Sequence, residues 1–321
     1  MKRTISFLLA LFLLISLFSG CGAAPDTKSD KLSIVTTIFP EYDWVMNILG
    51  DKASAADVTM LLDSGVDLHS FQPGADDIIR ISTCDLFIYV GGESDLWVED
   101  ALKEATNQNM IVLDLLDVLG DAVKEEEHKE GMEAEEHEHE EEAEYDEHVW
   151  LSLQNAVVLV NAIRDALVSL DAPNAESYNA NADAYNEKLI ALHREYEDAV
   201  QKAKHKTVLF GDRFPFRYLV DDYGLDYYAA FAGCSAESEA SFETVAFLAH
   251  KLDELGLSAV LTLEGSDRRI AETIIAASAG KNARILSMDS LQSTTAQDVQ
   301  KGVSYLSVME KNLAVLQDAL E

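Results

Sequence analysis

Eight histidines lie among the 321 residues, and their neighbours decide what chemistry is open to them. His128, His137, His139 and His148 fall inside one stretch, residues 121–150, that is crowded with Glu. Imidazole nitrogens and carboxylates are both ligands for borderline divalent cations, and the negative field gathers cations nearby. Composition of this kind favours metal capture over a purely solvating role. The stretch holds almost no apolar residue before Val149 and Trp150. It cannot bury enough surface to offset the entropy of ordering, so most of it is expected to be a mobile, solvated loop. His148 stands at its far end, in Asp146-Glu147-His148-Val149-Trp150-Leu151, where apolar periodicity resumes and packed structure can hold one ring.

Further metal-capable residues share one position, just past an expected strand or at a helix start: His69, Asp212 followed by Arg213, Glu264 and Asp289. Two histidines from the front half and carboxylates from the back half would make a four-coordinate nitrogen–oxygen site. Neither HExxH nor a GxSxG nucleophile elbow occurs, so binding rather than catalysis is expected. No CxxC spacing exists, and a cysteine zinc site is not expected. Cys84 precedes an apolar run and reads as a small buried hydrophobe. Cys84 and Cys234 fall in different halves of the chain, which argues against a disulfide between them.

The elements that must position these groups follow from periodicity. Short β-branched and apolar runs near residues 32–39, 56–62, 86–90 and 110–113 alternate with amphipathic segments, and the alternation returns near 207–210, 226–231, 259–263 and 284–288. That pattern predicts α/β structure with mainly parallel sheets. Between the two sets, residues 174–204 carry no Gly or Pro, with Ala182, Tyr185, Leu189, Leu192 and Tyr196 at helical spacing. A run of this length is about 45 Å of helix, long enough to be a rigid backbone between two lobes. One helix is expected to close the chain from Val299 to Leu320. The fold class is therefore two α/β lobes joined by a long rigid helix, with the ligand in the cleft between them. The expected organisation is a signal peptide at 1–20, a tether at 21–31, an N-terminal lobe at 32–170 containing the acidic loop 121–147, a linking helix at 171–205 and a C-terminal lobe at 206–321.

With 58 acidic against 24 basic residues the formal charge is −34, which argues against nucleic acid as a partner and favours cations. Met1-Lys2-Arg3 and the apolar run that follows, ending in Ser19-Gly20-Cys21, resemble a bacterial lipoprotein signal. Cleavage would fall before Cys21, with lipid on its sulfur. That would anchor the chain on the outer face of the cytoplasmic membrane.

Four segments carry a wider resemblance: Val35-Thr36-Thr37-Ile38-Phe39-Pro40, Gly65-Val66-Asp67-Leu68-His69-Ser70-Phe71-Gln72-Pro73, Asp146 to Leu151, and Tyr223-Gly224-Leu225. From about Leu32 onward the chain resembles the metal-specific solute-binding proteins of bacterial ABC transporters that import zinc or manganese. The resemblance implies an ion held between two lobes, His69 and His148 as its front-half ligands, and Asp289 (in Met288-Asp289-Ser290-Leu291) as a carboxylate ligand. Where the family has a third histidine, or a glutamate, this chain has Arg213 on one count and Asp212 on another. An arginine cannot ligate, so either Asp212 does, with Arg213 paired to a carboxylate, or Glu264 or water completes the shell. The acidic loop is similar to that of the zinc importers, with His128, His137 and His139 as accessory collectors. Zn2+ is the expected cargo, with Mn2+ open, and the expected partner is a membrane permease serving a monomeric binding protein. A manganese-specific protein and a surface metal buffer or adhesin are the alternatives.

Overall fold

The structure is a computed structural model that describes residues 31–133, 144–235 and 239–321. The N-terminal lobe is built on β1 (Leu32–Thr36), β2 (Ala56–Met60), β3 (Leu86–Tyr89) and β4 (Ile111–Asp114), in the order β2-β1-β3-β4. Every pairing is parallel. The C-terminal lobe repeats the plan with β5 (Thr207–Arg213), β6 (Asp226–Phe231), β7 (Ala259–Leu263) and β8 (Arg284–Met288), in the parallel order β6-β5-β7-β8. In each lobe the chain reverses direction across the sheet beside its first strand. Loops leaving the carboxyl ends of strands at such a point are where open α/β sheets bind ligands.

The helices are α1 (Phe39–Leu49), α2 (Ala75–Thr83), α3 (Trp97–Lys103), α4 (Leu115–Leu119), α5 (Leu153–Leu170), α6 (Ala175–Lys202), α7 (Arg217–Tyr223), α8 (Phe242–Leu255), α9 (Arg269–Ala277), α10 (Ala296–Gln300) and α11 (Tyr305–Ala319). The long α6 buries Tyr178, Ala182, Tyr185, Leu189, Leu192, Tyr196 and Val200, one stripe at helical spacing. Its first half is tied to the N-terminal lobe, where Asn181 donates to the Ile48 carbonyl at 2.9 Å and Tyr185 donates to Asp43 at 3.1 Å. Its second half meets the C-terminal lobe: Tyr196 stacks on Tyr223 at 5.0 Å and donates to the Met309 carbonyl at 2.6 Å. The helix thus acts as a shared spine. A second link is Tyr305, whose ring lies edge-on to Trp44 at 5.3 Å and whose hydroxyl donates to the Trp150 carbonyl at 2.6 Å.

Two sequence expectations change. The closing helix is broken: α10 ends before Gly302, whose φ of 90° is left-handed, and Ser304 then caps α11 by accepting the Ser307 N–H. Periodicity bridges the break because apolar residues continue on both sides, but only a residue without Cβ adopts that backbone readily. The acidic stretch is also not free throughout. Glu125 and Tyr145 form an antiparallel bridge, and the Glu126 N–H donates to the Glu144 carbonyl at 2.8 Å. Beyond the bridge, Lys129 pairs with Asp226 and lies 4.1 Å over the Tyr227 ring. Glu133 accepts the Ser241 N–H at 2.7 Å. The ends of the stretch are therefore laid across the C-terminal lobe, because backbone donors and aromatic faces there satisfy its charges. His128 sits exposed on this segment, while His137 and His139 lie outside the described residues.

Candidate metal centre

Each histidine stands at a short 3-10 turn. His69 lies in the 3-10 turn Leu68–Ser70 after β2, which Asp67 caps by accepting the His69 N–H at 3.1 Å. His148 precedes the 3-10 turn Val149–Leu151 and is wholly buried, its ring 5.3 Å from that of Trp150. The two rings face each other, with Nε2 of His69 3.2 Å from Nε2 of His148.

The other ring nitrogens explain why. His148 Nδ1 is 3.0 Å from the Asp146 carboxylate, and His69 Nδ1 is 3.4 Å from Glu147 and 2.8 Å from the Ser94 hydroxyl. A carboxylate beside each Nδ1 favours a proton there, which turns the two Nε2 atoms toward one another as donors to a shared proton or a metal cation. Two nitrogens about 2.0–2.1 Å from a tetrahedral zinc stand about 3.3–3.4 Å apart, so the spacing fits such an ion.

Electrostatics support the same reading. Burial opposes a charge on His148, but the Asp146 charge and hydrogen bond outweigh it and raise its basicity. Burial also works against the Glu147 charge, yet hydrogen bonds from His69 and Ser94 hold that carboxyl below its ordinary value. A carboxylate thus stands beside Nδ1 of each imidazole, which increases its strength as a donor.

The third converging donor is one the sequence did not mark. Cys234, just after β6, brings its sulfur to the His69–His148 pair so that one donor atom from each of the three lies within 4.8 Å of the others. It is the only such cluster of three among the described residues. No spacing rule would have found Cys234, because its partners are distant in the chain and belong to the other lobe. Cys84, by contrast, is fully buried beside Met110, and both cysteines are free.

The carboxylates expected from the C-terminal lobe are placed otherwise. Asp212 lines the cleft with His69, around a cavity of about 430 Å3, but is not part of the cluster. Strand β5 runs on through Gly211-Asp212-Arg213 instead of ending at Phe210, so the Asp212 carboxylate accepts the Leu263 N–H of β7 at 3.1 Å and the Arg213 N–H at 2.9 Å. Glu264 accepts from the Ser290 N–H at 2.8 Å, the Ser290 hydroxyl at 2.6 Å and Ser293 at 3.1 Å, tying two loops together. Asp289 accepts the Leu291 N–H at 2.8 Å while Asn312 braces its backbone. Burial raises both of these carboxyls, and the Asp289 charge adds to the effect on Glu264. Neither joins the His69–His148–Cys234 cluster. Arg213 is paired with a carboxylate, that of Asp67, at 2.9 Å.

Two parallel α/β lobes on a shared long helix, with donor side chains meeting between them, define the two-lobed class of metal-binding solute receptors. Within that class the chain belongs to the family described as zinc-uptake complex component A, periplasmic, whose model matches residues 34–319. It is 30% identical over 328 residues to the zinc-binding protein AdcA of Streptococcus pyogenes serotype M6, covering 98% of this chain and 61% of the relative. The chain thus spans about three fifths of the length of the AdcA relatives it matches. It is 32% identical over 319 residues to the high-affinity zinc uptake system protein ZnuA of Bacillus subtilis strain 168, covering 97% of this chain and 95% of the relative. Among solved structures, the Zn(II)-bound ZnuA-like domain of Streptococcus pneumoniae AdcA superposes with a TM-score of 0.70 at 29% identity, covering 90% of this chain and 99% of that one. The laminin-binding adhesin Lmb of Streptococcus agalactiae, at 24% identity and a TM-score of 0.73 over 90% of this chain and all of its own, shares the fold.

Proposed function

We propose that this protein captures a zinc ion outside the cytoplasmic membrane and delivers it to the membrane permease of an ABC transporter. His69 and His148 are the core ligands. The observation that carries the reading is their pair of facing Nε2 atoms, 3.2 Å apart with an acceptor group behind each Nδ1. The near full-length likeness to a zinc uptake protein supports both the cargo and the partner. Function is then affinity followed by release, with no bond made or broken in the substrate.

The same reading includes a signal segment at residues 1–20 and lipid on Cys21, which tethers a monomer beside its permease. Cys21 lies outside the described residues, and the zinc-binding lipoprotein AdcA of S. pneumoniae, 32% identical over 324 residues, supports an anchor of that kind. Imidazole pairs suit zinc better than manganese, which prefers oxygen donors. The adhesin alternative has only a shared fold behind it.

The test is metal analysis of protein purified without chelator, followed by zinc and manganese competition titrations. Wild type should hold one zinc tightly. His69→Ala and His148→Ala should each lose at least the roughly 100-fold that removal of a ligand's hydrogen-bond partner can cost. Affinity close to wild type in both variants overturns the site.

A further inference from the structure

We infer that Cys234 is a third ligand, so that the cargo is held by two imidazoles and a thiolate and zinc is selected over manganese through sulfur. The inference rests on the zinc-capture reading and adds to it the donor that replaces the family's third histidine.

Three observations meet on this residue. First, its sulfur belongs to the one cluster of three donors among the described residues, within 4.8 Å of a ring nitrogen of each imidazole. Second, Arg213, which stands at one count of the family's third-ligand position, is occupied with Asp67 at 2.9 Å and also donates toward the Ser235 carbonyl at 3.5 Å. A guanidinium there cannot ligate, and it braces the segment that carries Cys234. Third, the backbone before the cysteine is built for close approach. A Cβ on Gly233 would fall 2.9 Å from the Phe214 carbonyl oxygen and 3.2 Å from His148 Cε1. Any side chain there would push residues 233–234 away from the imidazole. The Cys234 N–H is held in turn by Glu126 of the acidic stretch, at 2.9 Å.

Thiolate is a soft donor, suited to zinc and poorly matched to manganese, so a nitrogen–sulfur set discriminates where a set of imidazoles and carboxylates does so less. The binding step balances simply. The thiol gives its proton to solvent as the sulfur–zinc bond forms, and the oxidation state of neither partner changes.

Cobalt(II) is the direct probe, because a thiolate ligand gives it an intense near-ultraviolet sulfur-to-metal charge-transfer band that imidazole and carboxylate ligands do not. Wild-type full chain loaded with cobalt should show that band, and zinc should abolish it by displacement. This measurement needs no variant to fold. Cys234→Ser should lack the band, lose at least about 10-fold in zinc affinity, and lose far less in manganese affinity. Zinc should also protect Cys234 from alkylation, read by peptide mapping that separates it from Cys84 and Cys21. A cobalt complex without the band, or zinc affinity in Cys234→Ser equal to wild type, overturns the thiolate while leaving the histidine site standing. Loss of the histidine site itself is read separately, from His69→Ala and His148→Ala.

Discussion

Arg213 reaches across the cleft to Asp67, its guanidinium 2.9 Å from the carboxylate, and that carboxylate in turn accepts the His69 N–H. One ion pair thus connects the end of β5 to the turn that presents a ligand. Burial alone would raise the Asp67 carboxyl. The Arg213 charge and the hydrogen bonds from Arg213 and the His69 N–H overcome it and hold the group below its ordinary value. The pair is partly exposed and adds little to overall stability. Its effect is local, on where the His69 ring stands.

Arg213→Met keeps much of the stem and removes the charge. The turn at residues 68–70 should loosen, and zinc affinity should fall about 10–100-fold, as for loss of other groups that orient a ligand. The fall should appear mainly as faster dissociation, measured by chelator competition in stopped flow. Unchanged dissociation would show that His69 needs no help from across the cleft.

The acidic stretch divides into two parts with different expected roles. Removing residues 134–143 should spare tight binding, because the bridge at Glu125 and Tyr145 and the contacts of Lys129 and Glu133 remain. Removing residues 125–145 also takes away Glu126, which holds the Cys234 N–H. That longer deletion should weaken zinc binding, by about 10-fold or more if Cys234 loses its position. Equal affinities for the two deletions, by competition titration, would reduce the docked segment to a surface ornament.

Asp95 should make the metal-free protein pH-sensitive. Burial pushes its carboxyl up to about 7, helped by the Glu147 charge and resisted by N–H groups of Val90 and Gly91. The folded state therefore holds this proton more tightly than the unfolded chain does. The resulting stability is fully present below about pH 4 and is lost as pH rises through about 7. Asp43, which burial raises to about 6, titrates in the same window and forms a common background. In chelator-treated protein, Asp95→Asn should lose on the order of 2–4 kcal/mol less unfolding free energy than wild type between about pH 4 and pH 8. Parallel pH curves in urea unfolding would exclude Asp95 as the source.

How much could be read without coordinates depends on whether the signal is local. Strands β1 to β8 and the long α6 follow from periodicity within single segments, and their spans fall within a few residues of those expected. His69 and His148 stood out because each sits in a short motif beside a turn, and the fold brings their rings together. Gly302 shows where local pattern fails: apolar spacing runs past it, and a single left-handed backbone angle ends the helix.

The sequence alone determined two parallel α/β lobes, the spine between them and the imidazoles, since each depends on side chains a few residues apart. Only the tertiary structure decided which back-half group meets those imidazoles. It gives Asp212 the Leu263 N–H, Glu264 the Ser290 N–H and Asp289 the Leu291 N–H, and it brings Cys234 to the imidazole pair. The physical reason is that the groups standing beside the imidazoles depend on how two distant loops pack, which no local pattern encodes.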